Sequence, residues 1–214
     1  MTPDDLKKLY EAILAGDRNA AVETTRAAID AGVEPERLVQ DHMIPAMDEV
    51  GRRFECNDYF VPELLIAARA MKASLEIIRP LLADRGVEPV GRVVIGTVKG
   101  DQHDIGKGLV ASMLEGAGFE VIDLGVDVAP AKFIEAAEKH RADIISVSAL
   151  LTTTMVNMKN VITELESAGL REKYRVIIGG APVTEHFAQS IGADGYGASA
   201  SEAVPLARRM LARQ

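Results

Sequence analysis

The chain has no tryptophan and a single cysteine, and aromatic residues make up only 4% of it. A lone Cys56 closes no internal disulfide and offers no Cys pair to zinc; it reads as a helix-end residue rather than a redox centre. So few aromatics argue against a stacking platform for single-stranded nucleic acid. Positive charge is also in deficit, with 24 Lys and Arg against 32 Asp and Glu and a formal net charge of −8. Phosphate backbones demand clustered Lys and Arg, so no nucleic acid is expected as a partner. No apolar run approaches the roughly 18 residues that cross a bilayer. The start, Met1-Thr2-Pro3-Asp4-Asp5-Leu6-Lys7-Lys8, has no apolar signal core. No membrane partner is therefore expected, and a cytoplasmic location is.

What remains is ordinary globular material, 48% hydrophobic and 26% charged over 214 residues, enough for one large domain or two small ones. Helical signals fill the first part. Pro3 followed by Asp4 and Asp5 opens a helix, and Leu6, Leu9, Tyr10, Ile13 and Leu14 recur at three and four. Gly16-Asp17 ends it and caps the next, with Ala21, Val22, Thr25, Ala28 and Ile29 inward. A third helix is predicted from Glu36 to Phe54, kinked near Met43–Ile44 by Pro45. A fourth is predicted from Pro62 to Leu82 on the stripe Leu64, Leu65, Ala68, Met71, Leu75, Ile78. Short loops between four such helices imply a small antiparallel bundle over residues 1–86.

Asp84-Arg85-Gly86-Val87-Glu88-Pro89-Val90-Gly91 carries turn residues without periodicity and reads as a linker. Beyond it strands alternate with helices. Strands are predicted at Arg92–Thr97, Glu120–Asp123, Ile144–Ser148, Arg175–Ile178 and around Gly195-Tyr196. Helices are predicted at Gly106–Gly116, Pro130–His140, Met155–Ala168, Thr184–Ile191 and Ser201–Arg213. Continuous apolar runs such as Val93-Val94-Ile95 and Val176-Ile177-Ile178 suit parallel strands covered on both faces. The fold class is α/β: a four-helix bundle followed by a flavodoxin-like, doubly wound five-stranded parallel sheet over residues 91–214.

The informative segment is Gly100-Asp101-Gln102-His103-Asp104-Ile105-Gly106-Lys107-Gly108, between a strand and a helix. Open α/β sheets bind ligands at the carboxyl ends of their strands, and this histidine lies there. Two further pieces fall at later strand ends: Ser148-Ala149-Leu150, 45 residues after His103, and Gly179-Gly180, 31 residues after Ser148. Read singly, each is bland: a histidine at a surface loop, a helix start at Gly106, a tight turn at Gly179-Gly180. Asp104 reads as a helix cap as readily as a ligand contact. Lys107 is either a solvated charge or a reach toward a cofactor amide or phosphate. His42, His140 and His186 receive no ligand role.

Together the pieces read Asp-x-His-x-x-Gly, Ser-x-Leu and Gly-Gly. In that order and spacing the chain resembles the vitamin B12 (corrinoid) binding domain of methionine synthase and of the small corrinoid proteins of methyl-transfer systems. The resemblance covers nearly the whole chain. It implies a cobalamin or related corrinoid, in its working form methylcobalamin, held base-off with His103 as the lower axial ligand to cobalt. A corrin supplies four in-plane nitrogens, so one neutral imidazole suffices. Asp101 becomes the carboxylate that orients His103, and the hydroxyl behind it falls on Thr154, where methionine synthase has Ser; Thr152 and Thr153 are the fallback positions. When the methyl group leaves, His103 is expected to leave the metal and the His103–Asp101 unit to take up a proton. Gly106, Gly179 and Gly180 are assigned to the mouth of a slot for the displaced nucleotide tail. Gln102, Asp104, Ile105, Ser148, Leu150, Thr152 and Tyr196 complete the implied cofactor contacts.

The same resemblance makes the bundle a cap over the upper corrin face, with Phe60 and Leu64 against it and Tyr59 behind. The linker becomes a hinge. The implied function is a methyl carrier that is not catalytic alone. Its implied partners are a substrate-specific corrinoid methyltransferase, a second methyltransferase to an acceptor such as a folate or thiol, and a reductive activator. The competing readings are a cobalamin-dependent regulator or photosensor without its DNA-binding domain, a mutase subunit without its barrel, and a flavodoxin-like FMN or phosphoacceptor protein.

Overall fold

Thr2 and Asp5 start the first helix by exchanging caps. The structure, a computed structural model describing residues 2–212, shows the Thr2 hydroxyl accepting from the Asp5 N–H and the Asp5 carboxylate accepting from the Thr2 N–H at 3.1 Å. Helix α1 spans Pro3–Leu14. Helix α2 (Arg18–Asp30) is capped by Asp17, whose carboxylate accepts from the Ala20 N–H at 3.0 Å. The third predicted helix has three parts: α3 (Pro35–Arg37), a π-helical stretch (Leu38–Met43) and α4 (Ile44–Glu55). Pro45 has no N–H, and its ring crowds the carbonyl four residues back. The chain answers with wider turns rather than a simple bend, and the Ile44 N–H reaches back to the Val39 carbonyl. Helix α5 (Val61–Asp84) completes this part, packing on α2 and α4. Leu9, Ile13, Ala21, Ala28, Met71 and Ile78 have no exposed surface.

The second part is a five-stranded, wholly parallel sheet in the order β2-β1-β3-β4-β5. Its strands are β1 (Arg92–Thr97), β2 (Glu120–Asp123), β3 (Ile144–Ser148), β4 (Arg175–Gly179) and β5 (Gly195–Gly197). Helices α6 (Ile105–Gly116), α7 (Pro130–His140), α8 (Thr152–Met155), α9 (Asn157–Ser167), α10 (Glu185–Ile191) and α11 (Ala200–Leu211) connect and follow them. Arg213, placed in the last helix from sequence, lies outside the described residues. The strand runs predicted from continuous apolarity are buried as such: Val93, Val94, Ile144, Ile145, Val147 and Val176 have no exposed surface. On one face Val94, Ile145 and Val147 pack with Phe133 of α7 and Val161 and Leu165 of α9.

The strand order reverses between β1 and β3, the switch point where this topology opens a crevice. Thr97, Ser148, Gly179 and Gly197 stand side by side in register at the carboxyl edge. By packing, the chain divides into a unit that runs up to Val90 and includes Glu115–Gly118, and a unit of Gly91–Leu114 with Phe119 onward. Among the described residues no helix is long and apolar enough to cross a membrane.

Candidate functional site

Strand β1 ends at Thr97 and helix α6 begins at Ile105, and the loop between them carries Asp101 and His103. Asp101 has no exposed surface. Its Oδ1 accepts from the His103 backbone N–H at 3.1 Å and meets the His103 ring at Nδ1, 2.9 Å away. Its Oδ2 accepts from Thr154 Oγ1 at 2.7 Å, from the Leu150 N–H at 2.8 Å and from the Leu151 N–H at 3.3 Å. The carboxylate thus joins the loop after β1 to the turn after β3, the two sides of the switch point.

Burial pushes the Asp101 carboxyl up, but the hydrogen bonds from Thr154, from the Leu150 and His103 N–H groups and from the His103 ring outweigh it and hold the pKa below the ordinary carboxylate value. An ionised carboxylate accepts only, so Nδ1 carries the ring proton. The lone pair of neutral His103 is then at Nε2, on the far side of the ring. The His103 side chain is half exposed, against none for Asp101. This is an imidazole held at Nδ1 by a buried anion.

Of the three candidate hydroxyls it is Thr154, largely buried, that reaches Asp101; Thr152 and Thr153 are exposed. Ser148 is the last residue of β3, in register between Thr97 and Gly179. Gln102 is exposed, as are Ile105 and Leu150 beside the imidazole loop. Asp104 stands just before α6, and its carboxylate pairs with Lys107 Nζ at 2.8 Å. Lys107 is neither a solvated charge nor a free reach: its side chain is 1% exposed and its ammonium also donates to both oxygens of Asp123. Sequence spacing gave no sign of that pair, because Asp123 lies on a neighbouring strand. Tyr196 of β5 is half-buried against the sheet core.

The three glycines differ. A side chain at Gly106 would meet nothing within 4 Å. A Cβ at Gly179 would come 3.1 Å from the Gly197 carbonyl oxygen. At Gly180 it would lie 1.9 Å from the Ala149 oxygen, at a φ of 132°. Gly180 is therefore demanded by the end of β3 itself, and its being glycine is no argument for an open slot.

In the helical unit, Phe60 is 62% exposed while Leu64 is fully buried. The Tyr59 hydroxyl donates to the Leu14 carbonyl at 3.2 Å and accepts from Arg53 at 3.1 Å. Tyr59 is an anchor within that unit.

Sequence reasoning missed the side chains that hold the imidazole loop from outside it. Thr97 Oγ1 donates to the His103 carbonyl at 2.9 Å, Asp127 Oδ1 accepts from the Gly100 N–H at 2.7 Å, and Asn157 Nδ2 donates to the Lys99 carbonyl at 2.8 Å. The one available signal was Gly125-Val126-Asp127, a turn in which Asp is among the few residues that tolerate the left-handed conformation.

The donor set fits a corrinoid. Among the described residues no cluster of three His, Cys, Asp or Glu side chains could hold a metal ion alone. A single oriented imidazole suits a metal that arrives inside its own macrocycle.

Comparison with known proteins agrees. Residues 91–205 and residues 5–79 both match B12 binding domain families. The chain is 44% identical over 208 residues to trimethylamine corrinoid protein 1 of Methanosarcina acetivorans, covering 96% of each. A chain of the methanol:cobalamin methyltransferase complex of Methanosarcina barkeri superposes with a TM-score of 0.89 at 30% identity, over 100% of this chain and 82% of that one. A cobalamin-binding protein of Desulfitobacterium hafniense superposes with a TM-score of 0.77 at 30% identity, over 96% and 98%. With an α/β fold of the same kind and a histidine set at its switch point, the chain belongs to the B12-binding corrinoid proteins of methyltransferase systems, and its cofactor is cobalamin or a related corrinoid.

Proposed function

We propose that the protein is a methyl carrier that binds its corrinoid base-off, with His103 Nε2 as the lower axial ligand. The observation that carries this is the fully buried Asp101 carboxylate on His103 Nδ1, which leaves Nε2 as the only basic nitrogen of the ring. When bound, the corrinoid supplies a cobalt centre that accepts a methyl group from one partner and yields it to another.

The chain's own residues do the rest. Asp101 holds the ring in one tautomer and one orientation, and Thr154 holds Asp101. Were Nε2 to be released from a bound corrinoid, it would take up a proton, and the Asp101 carboxylate would balance the charge of the ring. Ile105 and Leu150, both exposed and apolar, offer a dry surface beside the imidazole. Gly106, where a side chain would stand in open space, keeps the entrance to α6 clear for the nucleotide tail. Gln102, Asp104, Ser148, Thr152, Gly179, Gly180 and Tyr196 are the further proposed contacts. Residues 1–86 form the cap, with exposed Phe60 presented to the upper corrin face, and residues 84–91 form the hinge. Leu64, expected beside Phe60 at that face, is fully buried by protein and offers it no side-chain surface.

The likeness to a trimethylamine corrinoid protein and to a chain of a methanol:cobalamin methyltransferase complex supports a substrate-specific methyltransferase as the first partner. A second methyltransferase that passes the group to a folate or thiol, and a reductive activator, complete the cycle in the cytoplasm.

His103→Gly tests the proposal. The variant protein is expected to fold, to bind cobalamin more weakly, and to show a changed absorption spectrum that free imidazole restores. Wild-type affinity with a wild-type spectrum overturns the assignment of His103.

A further inference from the structure

The imidazole loop, residues 98–104, has no helix and no strand of its own. Asp101 fastens it to the β3 side, through Thr154 and the Leu150 N–H. Backbone pairing of Val98 with Val128 and Ser148 and the Asn157 bond to the Lys99 carbonyl hold the loop's first residues, and two other side chains fix the part nearer the imidazole. Asp127, in the connection between β2 and α7, accepts from the Gly100 N–H at 2.7 Å, and its own N–H donates to the Asp101 carbonyl at 3.0 Å. Thr97, fully buried at the end of β1, donates to the carbonyl of His103 itself at 2.9 Å. The loop is thereby held from β1, from the segment after β2 and from the turn after β3. Asp127 reaches this position with φ at 55°, in the left-handed region that Asp tolerates better than most side chains.

We propose that Thr97 and Asp127 are positioning residues for the axial imidazole, setting where Nε2 stands rather than touching the cofactor. The proposal rests on the reading of His103 as the cobalt ligand. A metal–nitrogen bond is short and directional, so a loop that pivots loses it before the fold loses stability. Outer contacts of this kind typically shift ligand binding by about 10- to 100-fold.

The test uses the full-length protein with 15N-labelled histidine, loaded with cob(II)alamin and read by electron paramagnetic resonance. Coordination by a labelled histidine splits the signal into doublets; coordination by the cofactor's own unlabelled base gives triplets. Asp127→Gly removes the carboxylate at a φ that glycine adopts freely. Asp127→Asn keeps an acceptor oxygen at the same place. The ratio of histidine-coordinated to uncoordinated cobalt is expected to fall by about tenfold or more in Asp127→Gly and to stay near wild type in Asp127→Asn, with the circular dichroism of both unchanged. Thr97→Val, which exchanges a hydroxyl for a methyl, carries the same test if Asp127→Gly does not fold. Wild-type doublets of full intensity in both Asp127→Gly and Thr97→Val overturn this inference alone. Absence of doublets in the wild type overturns the His103 reading, and this one with it.

Discussion

Asp101→Asn puts one amide into a site built for five donors. Oδ1 faces the His103 N–H and Nδ1; Oδ2 faces Thr154 Oγ1 and the Leu150 and Leu151 N–H groups. An asparagine offers one acceptor oxygen, so its NH2 must point at one of these groups. If it faces Thr154, that hydroxyl turns to donate to the Leu151 carbonyl, 3.0 Å away, but the Leu150 N–H is left without an acceptor. If it faces His103, the backbone N–H is orphaned and Nδ1 must accept instead. The ring proton then moves to Nε2, and the coordinating lone pair is lost. Either orientation leaves at least one part-buried N–H unpaired, costing about 1–3 kcal/mol. For a chain of this size each kcal/mol lowers Tm by about 2–4 °C. The apoprotein should therefore remain folded but melt a few degrees lower by calorimetry. Cobalamin affinity, titrated by absorbance, should fall about 10- to 100-fold, and methyl transfer should slow. A variant with wild-type Tm and wild-type affinity would show that the buried carboxylate does not set the state of the imidazole.

Thr154→Val removes the hydroxyl with little change of shape. It should destabilise the apoprotein by about 1 kcal/mol and slow methyl transfer less than Asp101→Asn; rates equal to wild type would remove Thr154 from the proton-handling unit. Gly106→Leu should leave the apoprotein folded, because the added Cβ stands in open space, yet block cobalamin uptake; normal loading would place the nucleotide tail elsewhere. Gly180→Leu should instead lower Tm before any cofactor is added, since even its Cβ would collide with the Ala149 carbonyl; an unchanged melting curve would refute that geometry. Phe60→Ala should speed photolysis of the bound methyl group if the exposed ring shields it, and an unaltered photolysis rate would leave the bundle as a docking surface only.

Much of this architecture is legible in the chain because the physics is local. Val93-Val94-Ile95 and Ile144-Ile145 read as buried parallel strands, and β1, β2 and β3 run between the residues that apolarity and turn signals mark. Pro45 announces a break near Met43–Ile44, but not its form, since a bend and a π stretch are equally open to a missing N–H. The predicted helix Met155–Ala168 comes out as α8 and α9. Its first part holds Thr154, which a contact 53 residues away ties to Asp101. The Asp101–His103 pair is legible only through the resemblance, which assigns the partner role to the residue two before the histidine. What stays hidden is whatever the fold brings together without a periodic signal: Lys107 on Asp123, Thr97 on the His103 carbonyl, Asp127 on Gly100. Nothing in those segments read alone says which partner the sheet will bring alongside.

The π stretch at Leu38–Met43 has a further consequence, in helical phase. A π turn amounts to one residue more than the regular helix would hold, and one residue in an α-helix is a rotation of about 100°. Leu38, Val39 and Met43 within the stretch and Met47 and Val50 after it are all buried, so the wider turns absorb the extra residue and α4 still keeps its apolar face inward. Forcing the same residues into regular α turns would rotate α4 by about 100° against what precedes Leu38, whereas removing one residue would restore regular turns and leave Met47 and Val50 facing inward. The locally weaker helix is the one that keeps a single stripe facing inward along its whole length.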